Sequence, residues 1–301
     1  MNHTYNSILS VALAISTNFL FATGKDSLAK SNTPISIFNS TRIINSHSTD
    51  MLWKNEMDIR IAHRFGDMGT TGSAATAFGL DNSTDIRIGI EYGLFNKLNI
   101  GLARSKGAGP FTQIADGYLK YNLMQQNEEK TSPLSITFLQ TMAYTFMRES
   151  TDSTLPSSFG GQNVRRMAYC SQLLLGRKFG QRLSIVIAPT YIHRNYVAFD
   201  DKNGLFSIGA SVRLKITKVF SLITEYFYNV RSTNAILGVK YYNPLGLGLE
   251  FDTGGHLFML NFTNSTGLGE TQFVPYTSST WTKGQFRMGF TISRIIKFKQ
   301  H

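Results

Sequence analysis

Two His-Arg pairs, His63-Arg64 and His193-Arg194, are the residues best suited to binding chemistry, with Asp81 and Asp200 in the segments that follow them. Neutral imidazole and carboxylate together hold divalent cations, and the arginines would draw an anionic ligand. His63, Arg64, Asp81, His193 and Asp200 are therefore candidates for a ligand or metal site at the extracellular rim. The competing reading is that they hydrogen-bond loop backbone or lipid headgroups. His256, Asn261 and Ser265 supply the types of a Ser-His-Asn lipase, but an extended strand would hold His256 and Ser265 roughly 30 Å apart, beyond any hydrogen bond. No GxSxG, HExxH or Walker A motif occurs, nor a GxGxxG in a βαβ setting. The chain is read as a non-enzyme with no cofactor.

A third group is spread along the chain. Arg60, Arg64, Arg87, Lys120, Arg213, Lys215 and Arg287 share one face of alternating segments with Asp58, Glu91, Glu225, Glu250 and Asp252. In a barrel that face lines the lumen. A surplus of cations in a wet bore favours small anions, whereas pairing of these charges across a narrow lumen would close it. An open channel and a plugged barrel both fit.

The elements that must position these residues are strands. In Asp85–Leu94, Ile86, Ile88, Ile90, Tyr92 and Leu94 oppose Arg87, Gly89, Glu91 and Gly93. Phe206–Ile216, Leu245–Asp252 and Gln285–Ser293 alternate in the same way, and period two sends successive side chains to opposite faces. The polar face mixes glycine with isolated charges, which suits the inside of a barrel better than the water-facing side of a soluble sandwich. The pattern predicts strands at 57–65, 84–94, 97–105, 115–124, 134–147, 164–178, 182–195, 204–216, 219–229, 245–252, 255–264 and 284–296. Short turns alternate with long links, the asymmetry of outer-membrane barrels with periplasmic turns and extracellular loops. Residues 41–48 also look strand-like, but counting them would make thirteen strands and misplace a terminus. The expectation is an all-β transmembrane antiparallel barrel of about twelve strands over 57–301, with 25–56 a periplasmic segment or partial plug.

Composition agrees. Charged residues make up only 16% and aromatics 12%, as suits a surface partly in lipid. Phe95, Phe179 and Phe220 fall by short turns and Phe65, Tyr191, Phe206, Tyr226 and Tyr228 toward long loops, as two interfacial girdles would. The net charge of +11 comes from scattered residues without a basic run, so nucleic acid is not the expected partner. The sole cysteine, Cys170, excludes an internal disulfide. Residues 8–21 are mainly apolar and precede Ala22-Thr23-Gly24, which reads as a signal peptide over 1–24.

Several segments carry a family likeness: Ile61-Ala-His-Arg-Phe-Gly66, Phe78-Gly-Leu-Asp81, Asp85–Gly93, Ala188-Pro-Thr-Tyr-Ile-His-Arg-Asn195 and Thr253-Gly-Gly-His-Leu-Phe258 with Asn261-Phe-Thr-Asn-Ser265. From about Thr41 to Arg294 the sequence resembles the Bacteroidetes outer-membrane β-barrel family termed domain of unknown function 5777. The resemblance implies a barrel in the outer membrane of a Gram-negative-type cell, and brings no substrate or catalytic residues. The expected role is a narrow pore for small solutes or a membrane anchor of a surface assembly. Outer-membrane lipid and small anionic solutes are the expected partners. A barrel enzyme acting on lipid and a soluble exported β-sandwich that binds ligands are the alternatives.

Overall fold

The computed structural model describes residues 34–129, 131–231 and 235–298. The leader expected over 1–24 and the start of the 25–56 segment lie outside them. In chain order the strands are β1 (Glu56–Asp67), β2 (Ser83–Phe95), β3 (Leu98–Ser105), β4 (Ile114–Met124), β5 (Ser135–Thr145), β6 (Met167–Phe179), β7 (Leu183–Arg194), β8 (Gly204–Lys215), β9 (Phe220–Val230), β10 (Ala235–Ile236), β11 (Val239–Lys240), β12 (Leu245–Asp252), β13 (Leu257–Thr263) and β14 (Arg287–Lys297). Twelve of these form one closed antiparallel barrel, and β10–β11 is a separate small hairpin in the loop after β9.

Alternation decides which way each strand faces. On β2, Ile88 and Ile90 are 50% and 47% exposed while Arg87 and Glu91 are buried. The apolar residues point out to lipid and the charged ones point in, the inverse of a soluble protein. Among the described residues no helix is long and apolar enough to cross a membrane. Closure follows from the same solvent: lipid offers backbone groups no hydrogen bonds, so the sheet can leave no open edge. The seam pairs the first and last strands, from Glu56↔Lys297 to Arg64↔Gly289, with a register shift before Asp67↔Arg287.

Inward glycines make room for rings on neighbouring strands. Gly101 is paired with Tyr118 and Gly209 with Phe227. A Cβ at Gly101 would lie 2.1 Å from the Tyr118 ring, and one at Gly209 would lie 2.6 Å from the Phe227 ring. On the outer face aromatics mark two levels: Phe95 and Phe179 are exposed by short turns, and Phe206 and Tyr228 near the long loops. Tyr191 packs on Phe206 at 4.7 Å and Phe220 on Phe251 at 5.2 Å.

Two strand starts lie three residues later than the sequence pattern predicts. Asn163–Arg166 and Trp281–Lys283 form 3-10 turns ahead of β6 and β14. The long link after β13 also contains a helix, α1 (Glu270–Tyr276), all seven residues of which are buried. Replacing Gly101 with Val should expel the Tyr118 ring and destabilise the barrel by about 1–3 kcal/mol, the usual cost of overpacking. Urea unfolding of the vesicle-inserted protein, followed by heat-modified gel migration, measures this.

Candidate functional site

The candidate site is the lumen, which two segments of the chain occupy. The first comprises residues 34–55. It begins beside the β4–β5 turn, where Ile35 N–H donates to the Gln126 carbonyl at 2.9 Å. Asp50 ties its base together by accepting from the backbone N–H groups of Ile37 (2.8 Å) and Phe38 (2.7 Å). Residues 41–48 fold back on themselves rather than joining the wall, with an isolated bridge between Arg42 and His47. The chain then returns to the short-turn side to begin β1.

The wall holds this insert from many sides. Lys120 of β4 donates to the carbonyls of Thr41 (3.1 Å) and Asp50 (2.6 Å), and Thr137 of β5 donates to that of Thr49 (3.2 Å). Lys178 of β6 reaches the Ser36 carbonyl at 3.1 Å, and Arg60 of β1 the Ser40 hydroxyl at 2.9 Å. Glu225 of β9 receives the tip: its carboxylate accepts from the backbone N–H and side-chain amide of Asn45 and from the N–H and hydroxyl of Ser46, at 2.7–3.1 Å. Apolar side chains Ile37, Phe38, Ile43 and Ile44 pack with inward Tyr118, Leu139, Leu174 and Ile223.

The second segment descends from the β13–β14 loop. Asp85 of β2 accepts from Leu268 N–H at 3.1 Å, and Asn229 of β9 donates to the Val274 carbonyl at 2.7 Å. Gln272 donates to the carbonyls of Ala108 and Phe111, while Phe273 packs edge-on to Phe227 at 5.2 Å. Arg194 of β7 donates to the Tyr276 hydroxyl at 3.2 Å. The two segments meet where Arg42 donates to Glu270 at 2.6 Å, with the His47 ring nitrogen 2.9 Å from the same guanidinium.

The remaining wall charges pair sideways, not across the bore. Arg87 on β2 grips Asp116 on β4 through two nitrogens (2.5 and 3.3 Å), passing over β3. Arg213 on β8 meets Glu250 on β12 at 2.7 Å, passing over β9. Arg60 pairs with Asp58 at 2.9 Å and Arg287 with Asp67 at 2.7 Å. Glu91 accepts from Asn99 (2.8 Å) and Tyr118 (3.0 Å). Lys215 and Asp252 are half-buried at the short-turn end. Eight Arg and Lys side chains and nine Asp and Glu are buried among the described residues, so the lumen has no cationic surplus. Asp85, Asp116 and Glu56 lie at inward parity and supply the acids that the sequence tally omits.

The rim candidates do not form one site. His63 and His193 face outward from β1 and β7, which are six places apart in the ring of twelve. His63 stacks on Phe290 at 5.5 Å. Arg64 lies deep in the lumen, donating to the Asn45 side-chain oxygen and the Ser265 carbonyl at 2.8 Å each. Asp81 is exposed in the β1–β2 loop, and Asp200 accepts from Leu237 N–H at 3.2 Å. Adjacent residues on a strand face opposite ways, which splits each His-Arg pair. No cluster of three or more His, Cys, Asp or Glu suited to a metal occurs among the described residues. His256 lies at the β12–β13 turn and Ser265 beyond the far end of β13, so these two also remain apart.

A cavity of about 510 Å³ remains on the short-turn side, lined by Ser40, Thr41, Asp58, Arg60, Asp252 and Ser293 among others. Near the long loops, the cavity between Phe111, Phe159, Arg194 and Tyr276 is about 30 Å³, enough for one or two waters.

Residues 38–296 match the family described as a membrane bound beta barrel domain (DUF5777). The chain belongs to this family. Comparison with curated proteins returns no match. Among solved structures the chain is similar to the NanC porin (11% identity, 81% of this chain and 100% of that one, TM-score 0.49). It is also similar to the KdgM porin (9%, 81% and 99%, 0.46) and to an outer membrane channel from Pseudomonas putida F1 (12%, 82% and 97%, 0.46). This family member is a membrane-bound β-barrel.

Arg87→Ala should destabilise the barrel by about 3–5 kcal/mol, because Asp116 is left buried without its partner. Removing both side chains should recover part of that loss in the same urea titration. Glu225→Ala should free the tip of the first insert, so that the Asn45 and Ser46 amides exchange hydrogen at least about tenfold faster than in the parent protein.

Proposed function

We propose that this barrel is a porin-like conduit for small polar solutes whose resting form is closed from within. The Arg42–Glu270 contact at 2.6 Å carries the reading, because it joins the segment entering from the short-turn side to the one descending from the long loops. The cavity of about 510 Å³ on the short-turn side, lined in part by Ser40 and Thr41 next to Arg42, supports a vestibule on that side of the insert. Opening then requires one insert to move. Small anions belong to this reading through Lys178 and Lys215 near the short-turn mouth, not through the net charge of the lumen.

The second reading is a membrane anchor for a surface assembly, with a permanently filled bore. It is favoured by the insert's bonds to β1, β4, β5, β6 and β9. Planar-bilayer recording separates the two. The parent protein should be silent for most of the record, and Arg42→Ala/Glu270→Ala should open at least about tenfold more often, since a charged hydrogen bond of about 1.5–3 kcal/mol is lost. Deleting residues 34–52 should give steady conductance, with a reversal potential in a salt gradient reporting any anion preference. A deletion variant that folds, shown by heat-modified migration, and still passes no current would sink the conduit and leave the anchor.

A further inference from the structure

The balanced lumen leaves the net charge of +11 to be carried elsewhere. Much of it lies on the outside of the short-turn rim. Lys54, Lys97, Arg177, Arg182, Lys218 and Arg294 are all exposed there, whereas the exposed acids at that rim are Glu128 and Glu129, both in the β4–β5 turn. Lys297 is also exposed and pairs with Glu56 at 2.9 Å. The cations are spread over the β2–β3, β6–β7 and β8–β9 hairpins and the β1–β14 seam.

Their donors are unspent. None of the six side chains makes a hydrogen bond or ion pair among the described residues, and Arg177 rests its guanidinium over the Phe179 ring, 5.1 Å from the centroid. At the opposite rim, Arg104 and Lys106 donate to the carbonyls of Gln113 and Ser83 at 2.9 and 2.8 Å. Position also identifies the partner. Arg177 continues the outward row of Leu173 and Leu175, and Arg294 that of Phe290 and Ile292. Both therefore stand at the edge of the apolar belt, at the level of the exposed rings Phe95, Phe179 and Phe298. Aromatic rings and basic side chains at that level meet lipid headgroups.

We propose that the short-turn rim is a basic collar that binds the phosphate groups of anionic phospholipids in the leaflet next to it. The collar is independent of whether the lumen conducts. Each basic residue near an anionic surface strengthens association about fivefold, so a ring of them selects anionic over zwitterionic lipid.

The test uses the full chain in vesicles of phosphatidylethanolamine with and without phosphatidylglycerol, extracted into detergent and weighed by native mass spectrometry. The parent protein should retain phosphatidylglycerol in preference to phosphatidylethanolamine, and Arg177→Gln/Arg182→Gln should lower that retention several-fold. Changing Lys54, Lys97, Lys218 and Arg294 to Gln as well should abolish the preference, while Arg148→Gln/Lys202→Gln/Lys283→Gln at the long-loop side leaves it intact. Added inorganic phosphate that displaces no lipid supports a headgroup site. Equal retention of the two lipids by the parent protein overturns the proposal, as does unchanged retention in the folded two-site variant. In vesicles that also contain lipid A, retention of lipid A in place of phosphatidylglycerol would overturn it as well.

Discussion

Lipid supplies no hydrogen bonds, and the rest of this molecule follows from that one constraint. Because no strand edge can stay open in hydrocarbon, the sheet has to close on itself, and β1 and β14 must meet although they lie at opposite ends of the chain. A closed ring of twelve strands encloses a space lined by alternate side chains. Those side chains are polar because the outward ones are not. The interior must therefore satisfy a dense set of charges without bulk water, and it does so with sideways pairs such as Arg87–Asp116 and with the two inserts.

The inserts meet most of that demand through backbone. Glu225 binds the turn at Asn45 and Ser46 largely through main-chain and amide donors, and Lys120 is satisfied by two carbonyls. A buried cation that donates only to carbonyls has its hydrogen bonds met without a carboxylate in contact. The glycines at 101 and 209 serve the same filling, since each lets a ring from the next strand lie flat against the wall.

Much of the wall was legible because its signal is local. Ile88 and Arg87 announce opposite faces by adjacency alone, and the strand limits of β2, β4, β8 and β12 fall within a residue of the alternating pattern. Parity also tells which charges face inward. Partners were not legible: Arg87 finds Asp116 two strands away, which depends on two registers that no short stretch of sequence encodes. Helix α1 gave no signal either, since it is seven residues long, contains Pro275 and lacks a side-chain cap. It is helical because its surroundings hold it. The His-Arg pairs misled for a simple reason: adjacency in sequence suggests a shared site, while adjacency in a strand separates two side chains by the thickness of the wall.

The insert that precedes β1 bears on assembly. Residues 34–52 lie inside a ring whose last join is made by β14, the final strand of the chain. A segment continuous with the first strand has to be in place before that join forms, or thread a finished barrel from its short-turn end. The simpler order folds the twelve strands around it. On that order the insert acts as a mandrel: the wall takes its curvature against an object already present, and Lys120, Glu225 and Arg64 find their bonds while the sheet is still open.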